Sequence, residues 1–242
     1  MHIKTKQISS VVQEFSRFAH QYEMYNVIQV EVATTLVSKL PNKFYKNIID
    51  IGAGNGEIYK NLKKQKVSFV TLTVLDSAEE MLAIHPKQNN ILKICTNFNS
   101  KNLLSDIPLA YYDLLISSSA LQWSTDLEYT MKELSSIANI FYGAVFTSGT
   151  FKTLHDVAKV NSPIYTPKEI KAVIKQHYNK AIFHTQNYKL KFKSTRDMFR
   201  YIKQSGVSSG ERKLNYCQTK KLMDEYPLDY LEFEVLFIEA KN

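Results

Sequence analysis

Short apolar runs alternate with segments of helical periodicity between residues 47 and 147. A parallel sheet with flanking helices has this alternation, because each strand is covered on both faces by crossover helices. We therefore predict a doubly wound α/β sheet. The five runs that predict its strands are residues 47–51, 69–75, 91–95, 112–117 and 143–147.

The pattern changes beyond residue 150, where two alternating stretches at 183–192 and 231–240 enclose a helical region at 194–226. We expect the two late strands to complete a Rossmann-like sheet of seven strands, with the region between them as a C-terminal helical insert. The chain is long enough for one domain of this kind. The expected parts of this single domain, 1–242, are an N-terminal helical lid (1–45), a cofactor-binding core (46–150) and acceptor-side elements with edge strands (151–242).

Three capping patterns predict where helices begin. A Ser or Thr followed three residues later by an acidic residue can satisfy the free backbone N–H groups of a first helical turn. The pattern occurs at Ser77, with Glu80 as its partner, at Thr166, with Glu169, and in a looser form at Ser194. A helix is therefore expected directly after each of these residues.

A glycine-rich loop follows the first predicted strand. Three of the chain's seven glycines, Gly52, Gly54 and Gly56, lie within five residues, and Asp50 precedes them. Glycines let the backbone turn sharply and approach a ligand, while the next helix offers free N–H groups. The GxGxG spacing departs from the GxGxxG pattern of nicotinamide sites. The loop predicts a nucleotide-like ligand, although a tight turn without a ligand is the alternative.

Asp76 ends the second predicted strand, 24 residues after Gly52. A carboxylate at this place can accept hydrogen bonds from both ribose hydroxyls of a nucleotide. The alternative role for Asp76 is a helix cap. The spacing to the loop favours a ribose but does not select a particular cofactor.

The loop resembles the first motif of class I methyltransferases, which reads acidic, apolar, Gly, x, Gly, x, Gly. The resemblance implies that S-adenosylmethionine is the cofactor and that Asp50 and the three loop glycines cradle its methionine portion. Asp76 would hold the ribose, and Asn97, after the third strand, would meet the adenine amino group through its amide oxygen. We also expect Ser117, at the end of the fourth strand, to bind the cofactor.

Four further segments resemble one methyltransferase family, the malonyl-acyl carrier protein O-methyltransferases of biotin synthesis. These segments are residues 15–22, 76–82, 119–123 (Ser-Ala-Leu-Gln-Trp) and 198–206. The resemblance implies esterification of the free carboxylate of a malonyl thioester. Ser117-Ser118-Ser119 also stands where methyltransferases of nucleobase amines carry Asn/Asp-Pro-Pro-aromatic, so base methylation is disfavoured.

Four residues are the expected catalytic set on the acceptor side. Arg200 matches the late family segment, and its guanidinium can bind a carboxylate through two donors; the alternative is a surface arginine that pairs with Asp197. Tyr22 belongs to an aromatic stripe that either packs in the core or closes over the cofactor. Gln122 and Trp123 follow the fourth strand, where open α/β sheets bind ligands.

The formal charge of +8 suggests an acidic partner, and an acyl carrier protein carrying a malonyl group fits this expectation. RNA or another small acid as acceptor, and a non-catalytic S-adenosylmethionine-binding protein, remain alternatives. The two cysteines and six histidines have no metal-binding spacing, so no metal is expected. No apolar stretch of transmembrane length occurs, and we expect a cytoplasmic protein without a membrane partner.

Overall fold

The computed structural model describes residues 25–204 and 216–242. Its strands form one sheet in the order β3-β2-β1-β4-β5-β7-β6, in which β1 to β5 are parallel and β7 is antiparallel to both neighbours. The predicted seven-stranded α/β sheet is confirmed. The strands are β1 (Phe44–Ile51), β2 (Ser68–Asp76), β3 (Ile91–Cys95), β4 (Leu114–Ser118), β5 (Ile140–Phe146), β6 (Lys180–Lys191) and β7 (Tyr230–Lys241).

Helices cover both faces of this sheet. Two of them, α8 and α9 in the list below, lie between β6 and β7, which confirms the predicted helical insert. None of the helices in the described ranges is long and apolar enough to span a membrane. The helices are α1 (Val27–Ser38), α2 (Glu57–Lys64), α3 (Glu79–Ile84), α4 (Leu103–Asp106), α5 (Leu127–Ile137), α6 (Lys152–Ala158), α7 (Pro167–His177), α8 (Thr195–Gln204) and α9 (Tyr216–Glu225), with a 3₁₀ turn at Leu121–Trp123.

Two apolar clusters lie on opposite faces of the sheet. Neighbouring residues of β1 belong to different clusters, because successive side chains of a strand point to opposite faces. Ile48 packs in the cluster that contains α1 and α2, and Ile49 packs in the one that contains α5 and α7. The sheet is therefore buried on both faces, as expected for parallel strands.

Several strands begin earlier than their apolar runs predict. β1 begins at Phe44, whose side chain is 60% exposed, and Phe44 pairs with Ser68 at the solvent end of the sheet. β5 begins at Ile140 rather than at Gly143. In β1 the backbone pairing continues where side chains reach solvent, so the apolar pattern misses this exposed end. The first residues of β5 are different, because Phe141 and Tyr142 are buried.

Two of the three predicted helix starts are confirmed. The Thr166 hydroxyl accepts a hydrogen bond from the Glu169 backbone N–H, and the Glu169 carboxylate accepts one from the Thr166 N–H. The Ser194 hydroxyl likewise accepts a hydrogen bond from the Asp197 backbone N–H and caps α8. At Ser77 the predicted helix is present but the predicted cap is wrong, because α3 begins at Glu79 and the carboxylate of Asp76 accepts the Ala78 N–H at 2.9 Å.

The described part of the predicted N-terminal lid is a core helix. Val32 and Leu36 of α1 are fully buried against the sheet. Tyr25, just before α1, accepts a hydrogen bond through its carbonyl from the Tyr201 hydroxyl of α8, and the two rings lie 6.0 Å apart. Tyr22 lies outside the described residues, so its place in a lid stays a prediction.

Candidate functional site

The glycine loop joins β1 to α2 in a conformation that favours glycine. Gly52, Gly54 and Gly56 have φ angles of +73°, +54° and +86°, in the left-handed region. A Cβ on Gly52 would overlap the side chain of Ala120, and one on Gly56 would lie 2.8 Å from Pro86 Cδ. A Cβ on Gly54 would meet no protein atom within 4 Å and would project into open space.

The loop borders a cleft of about 910 Å³ at the carboxyl ends of β1, β2 and β4. Open α/β sheets bind ligands at this edge. Five of the predicted site residues line this cleft, and Gly56 supports the loop without lining it. The five are Gly52, Gly54, Asp76, Asn97 and Trp123.

Asp76 lies at the cleft wall with its carboxylate partly occupied by backbone groups. Oδ2 accepts the Gly54 N–H and Oδ1 accepts the Ala78 N–H, each at 2.9 Å. Burial raises the pKa of Asp76, and these backbone hydrogen bonds oppose the rise. An ionised carboxylate has about four lone-pair positions, so these backbone bonds leave Asp76 able to accept from a ligand hydroxyl group.

Asp50 is fully buried beneath the loop and does not line the cleft. Neither of its carboxylate oxygens has a hydrogen-bond partner among the described residues. Burial raises the pKa of Asp50 well above its usual range, and the negative charge of Asp76 raises it further. Asp50 therefore lies beneath the loop rather than at the cleft surface, and its part in cofactor binding stays a prediction.

The structure also revises the roles expected for Asn97 and Ser117. The Asn97 amide oxygen already accepts the Asn99 backbone N–H at 2.9 Å and its Nδ2 at 3.1 Å, so the adenine amino group would need another acceptor. The Ser117 hydroxyl is buried and donates to the Ile51 carbonyl at 2.8 Å. It holds β4 to β1, and its neighbours Ser118 and Ser119 line the cleft instead.

A second cavity of about 580 Å³ adjoins the cleft, and the residues that line both are Gln29, Ser119 and Trp123. Its wall is mainly apolar and aromatic, with a few polar side chains, and none of the described residues that line it is Lys or Arg. The remaining lining residues are Gln122, Phe146, Thr150, Phe151, His155, Ser162, Pro163, Ile164 and Phe233.

Two lining residues of the second cavity have strained backbones. Ser119 and Phe151 have φ angles of +59° and +57°, which residues with a side chain rarely adopt. Gln122 donates from Nε2 to the Ser119 carbonyl at 2.6 Å, and the Phe151 N–H donates to the Glu232 carbonyl at 2.8 Å. Such strain is found at ligand sites, where the surrounding structure holds it in place.

Arg200 lies away from both cavities. Its Nη1 pairs with Asp197 Oδ1 at 3.0 Å on α8, and its side chain is 56% exposed. The helix presents this side chain to solvent while Met198 and Tyr201 face the interior, and a role of Arg200 in binding the acceptor carboxylate stays a prediction. The i−3 pairing with Asp197 is the one foreseen as its alternative.

Sequence reasoning missed several lining residues, among them Gln29, Phe151 and Phe233. They come from α1, the start of α6 and β7, so no local motif brings them together. A glutamine in an otherwise mostly apolar helical stretch was the available signal for Gln29. Within the described ranges, no group of three His, Cys, Asp or Glu side chains is placed to hold a metal ion.

The chain matches a family model, the methyltransferase small domain, over residues 16–133. It is 24% identical over 228 residues to a malonyl-[acyl-carrier protein] O-methyltransferase of Bacillus cytotoxicus, covering 86% of this chain and 79% of that protein. Together with the strand order and the glycine loop, these matches indicate a methyltransferase with the class I fold.

Solved structures share the fold at low sequence identity. The YcgJ protein of Bacillus subtilis superposes with a TM-score of 0.60 at 11% identity, over 88% of this chain and 98% of that one. The phosphoethanolamine N-methyltransferase 2 of Haemonchus contortus superposes with a TM-score of 0.53 at 12% identity, over 86% of this chain and 52% of that one. It was solved with phosphomonomethylethanolamine and S-adenosylhomocysteine.

Proposed function

We propose that this methyltransferase uses S-adenosylmethionine to esterify the free carboxylate of malonyl-acyl carrier protein, an early step of biotin synthesis. The observation that carries the proposal is the second cavity, which meets the cleft at Gln29, Ser119 and Trp123. An acceptor in that cavity reaches a cofactor in the cleft without leaving the protein. The choice of malonyl-acyl carrier protein as the acceptor is supported by the four segments that resemble this enzyme family and by the similar protein of Bacillus cytotoxicus.

The cleft suits S-adenosylmethionine in its shape and polar groups. A Cβ on Gly54 would project into the open space of the cleft, so glycine at this position leaves that space to a ligand. The Asp76 carboxylate at the cleft wall can accept from a ribose hydroxyl. Asn97 lines the same wall, with its amide N–H groups available to an adenine nitrogen.

Methyl transfer to a carboxylate requires the protein to align the two reactants but not to transfer a proton. Bound S-adenosylmethionine would supply a methyl group on a sulfonium, so that a C–O bond forms as the C–S bond breaks and its electron pair stays on sulfur. A carboxylate is ionised at neutral pH, and no general base is needed. The residues of the two cavities then contribute alignment and exclusion of water.

The second cavity provides neutral polar groups for the acceptor. Ser119, Gln122 and Ser162 carry buried side-chain oxygens without partners among the described residues. Serine hydroxyls can donate to a carboxylate, the role first expected of Arg200. The aromatic walls suit the uncharged part of an acyl thioester, and the charge of +8 favours an acidic carrier protein.

The test is transfer of radioactive methyl from S-adenosylmethionine to malonyl-acyl carrier protein, with malonyl-coenzyme A and bulk tRNA as parallel acceptors. Label on malonyl-acyl carrier protein, released by mild base as expected for an ester, supports the proposal. Label on tRNA alone would contradict the proposal and indicate that RNA is the acceptor. Cofactor binding without label on any acceptor would contradict the acceptor and favour a non-catalytic role.

A further inference from the structure

Gln29 is a buried polar residue at the junction of the two cavities, in the first turn of α1. Its residue surface is 8% exposed, and its Oε1 atom has no hydrogen-bond partner among the described residues. Buried polar atoms are nearly always paired in native proteins, because an unpaired one loses its hydration without compensation. The orphan oxygen therefore points to a ligand that carries a donor.

The chemistry of the two reacting groups, which meet at this junction in the proposed reaction, selects the cofactor as that donor. A malonyl carboxylate carries no hydrogen at neutral pH, so it cannot donate to an amide oxygen. The amino-acid end of S-adenosylmethionine carries an α-ammonium with three N–H donors, and it is attached to the same sulfur that holds the reactive methyl. We propose that Gln29 binds the cofactor by accepting a hydrogen bond from this ammonium through Oε1.

The helix that carries Gln29 is fixed on several sides. Val32, one turn further along α1, is fully buried, and Thr34 donates to Asn61 Oδ1 of α2 at 2.9 Å. The Tyr201 hydroxyl of α8 donates to the carbonyl of Tyr25 at 2.9 Å, immediately before the helix. A side chain on such a support holds its ligand group at a defined place. Gln29 thus orients the sulfonium towards the second cavity.

The inference rests on the proposed cofactor and not on the proposed acceptor. It is tested by comparing two ligands that share the adenosine and the thioether: S-adenosylhomocysteine, which carries the amino-acid end, and 5′-methylthioadenosine, which lacks it. Both affinities are measured by calorimetry and by the emission of Trp123, the single tryptophan, which lines both cavities.

Gln29→Met removes the amide at similar volume. We expect it to lower the affinity for S-adenosylhomocysteine about 10-fold or more and to change the affinity for 5′-methylthioadenosine less than about twofold. Gln29→Glu retains an acceptor oxygen and should stay within about threefold of the unmodified protein for S-adenosylhomocysteine. Gln65→Met is the matched control. Its amide donates to the Thr34 carbonyl of the same helix, and Gln65 lines neither cavity.

Equal weakening of both ligands by Gln29→Met would show that the residue only supports the helix, and the inference would fall. Unchanged affinity for S-adenosylhomocysteine would overturn it as well. No acceptor is present in these measurements, so a failure to methylate malonyl-acyl carrier protein leaves the result intact. A protein that binds neither ligand would overturn both the cofactor and the role of Gln29.

Discussion

The cofactor cleft and the second cavity are built in different ways. The cleft contains one glycine loop and the strand end at Asp76 with a recognisable spacing, although α1 and the turns after β3 and β4 also line it. The second cavity collects residues from α1, the turn after β4, the segment from β5 to residue 164, and β7, and it contains no such loop. A site that contains a motif loop is partly readable from the sequence, whereas a site made only by distant segments is not.

The two regions also differ in what their backbones tolerate. The glycines with positive φ belong to the loop at the cleft and adopt it at little cost, whereas Ser119, which lines both regions, and Phe151 of the second cavity carry side chains. Their strain is held by hydrogen bonds from Gln122 and to Glu232. We therefore expect substitutions in the cleft to act on stability and cofactor binding, and those in the second cavity to act on the acceptor.

The largest effect is expected from Gly52→Ala. The new Cβ would overlap Ala120, and the residue would keep a positive φ, so the free energy of unfolding should fall by about 2–5 kcal/mol. Gly54→Ala is the control, because its Cβ meets no protein atom and only about 1–2 kcal/mol of backbone strain is expected. Urea unfolding measures both; an equal loss in the two variants would contradict the predicted role of the Ala120 contact.

Gln122→Met should reduce the specificity constant kcat/KM for the acceptor by about 10- to 100-fold, because it removes the hydrogen bond that holds Ser119 at the junction. Gln122 lines the second cavity and not the cleft, so the affinity for S-adenosylhomocysteine should change less than about twofold. The exposed Gln88→Met is the control. A parallel loss of cofactor affinity would break the proposed division between the two regions.

Asp50→Asn should stabilise the protein at neutral pH. The raised pKa of Asp50 means that its contribution to stability is full in acid and is lost as the pH rises through the folded-state value. Asparagine cannot ionise, so the loss of stability at high pH disappears. The thermal midpoint should therefore rise by a few degrees at pH 8, since about 1 kcal/mol of stability corresponds to roughly 2–4 °C at this chain length. The gain should shrink towards pH 4.

Asp229→Asn, at an exposed position, provides the control for that experiment. It makes the same change of charge without removing a buried carboxyl, so its thermal midpoint should stay close to that of the unmodified protein at both pH values. If Asp50→Asn lowered the midpoint at pH 8, the buried carboxylate would be a stabilising group, in conflict with its lack of partners.

The smallest effect is expected from Arg200→Ala. An exposed ion pair contributes about 0–1 kcal/mol, and the Arg200–Asp197 pair is exposed on both sides. The acceptor KM should change less than about twofold, because Arg200 lies outside both cavities. Steady-state kinetics over a range of acceptor concentrations check this, and a large increase in KM would return Arg200 to the acceptor site.

The cleft could be anticipated because its signals are local. The loop glycines are required by positive φ and close approach, and Asp76 follows a strand whose apolar run is plain in the sequence. The Ser117 side chain could not be placed from the sequence, because one step along a strand turns a side chain from the cleft into the sheet. The solvent-facing position of Arg200 could not be placed either, because matching a family segment does not fix which side of a helix faces the interior.

The sequence by itself determined the seven-stranded sheet, its helical insert and the position of the loop, because apolar periodicity and glycine spacing act over a few residues. Only the tertiary structure decided that Gln29, Ser119 and Trp123 meet between two cavities. It also decided that Asp50 lies without partners beneath the loop. Such placements depend on how distant elements pack, and packing is a property of the whole chain rather than of any one segment.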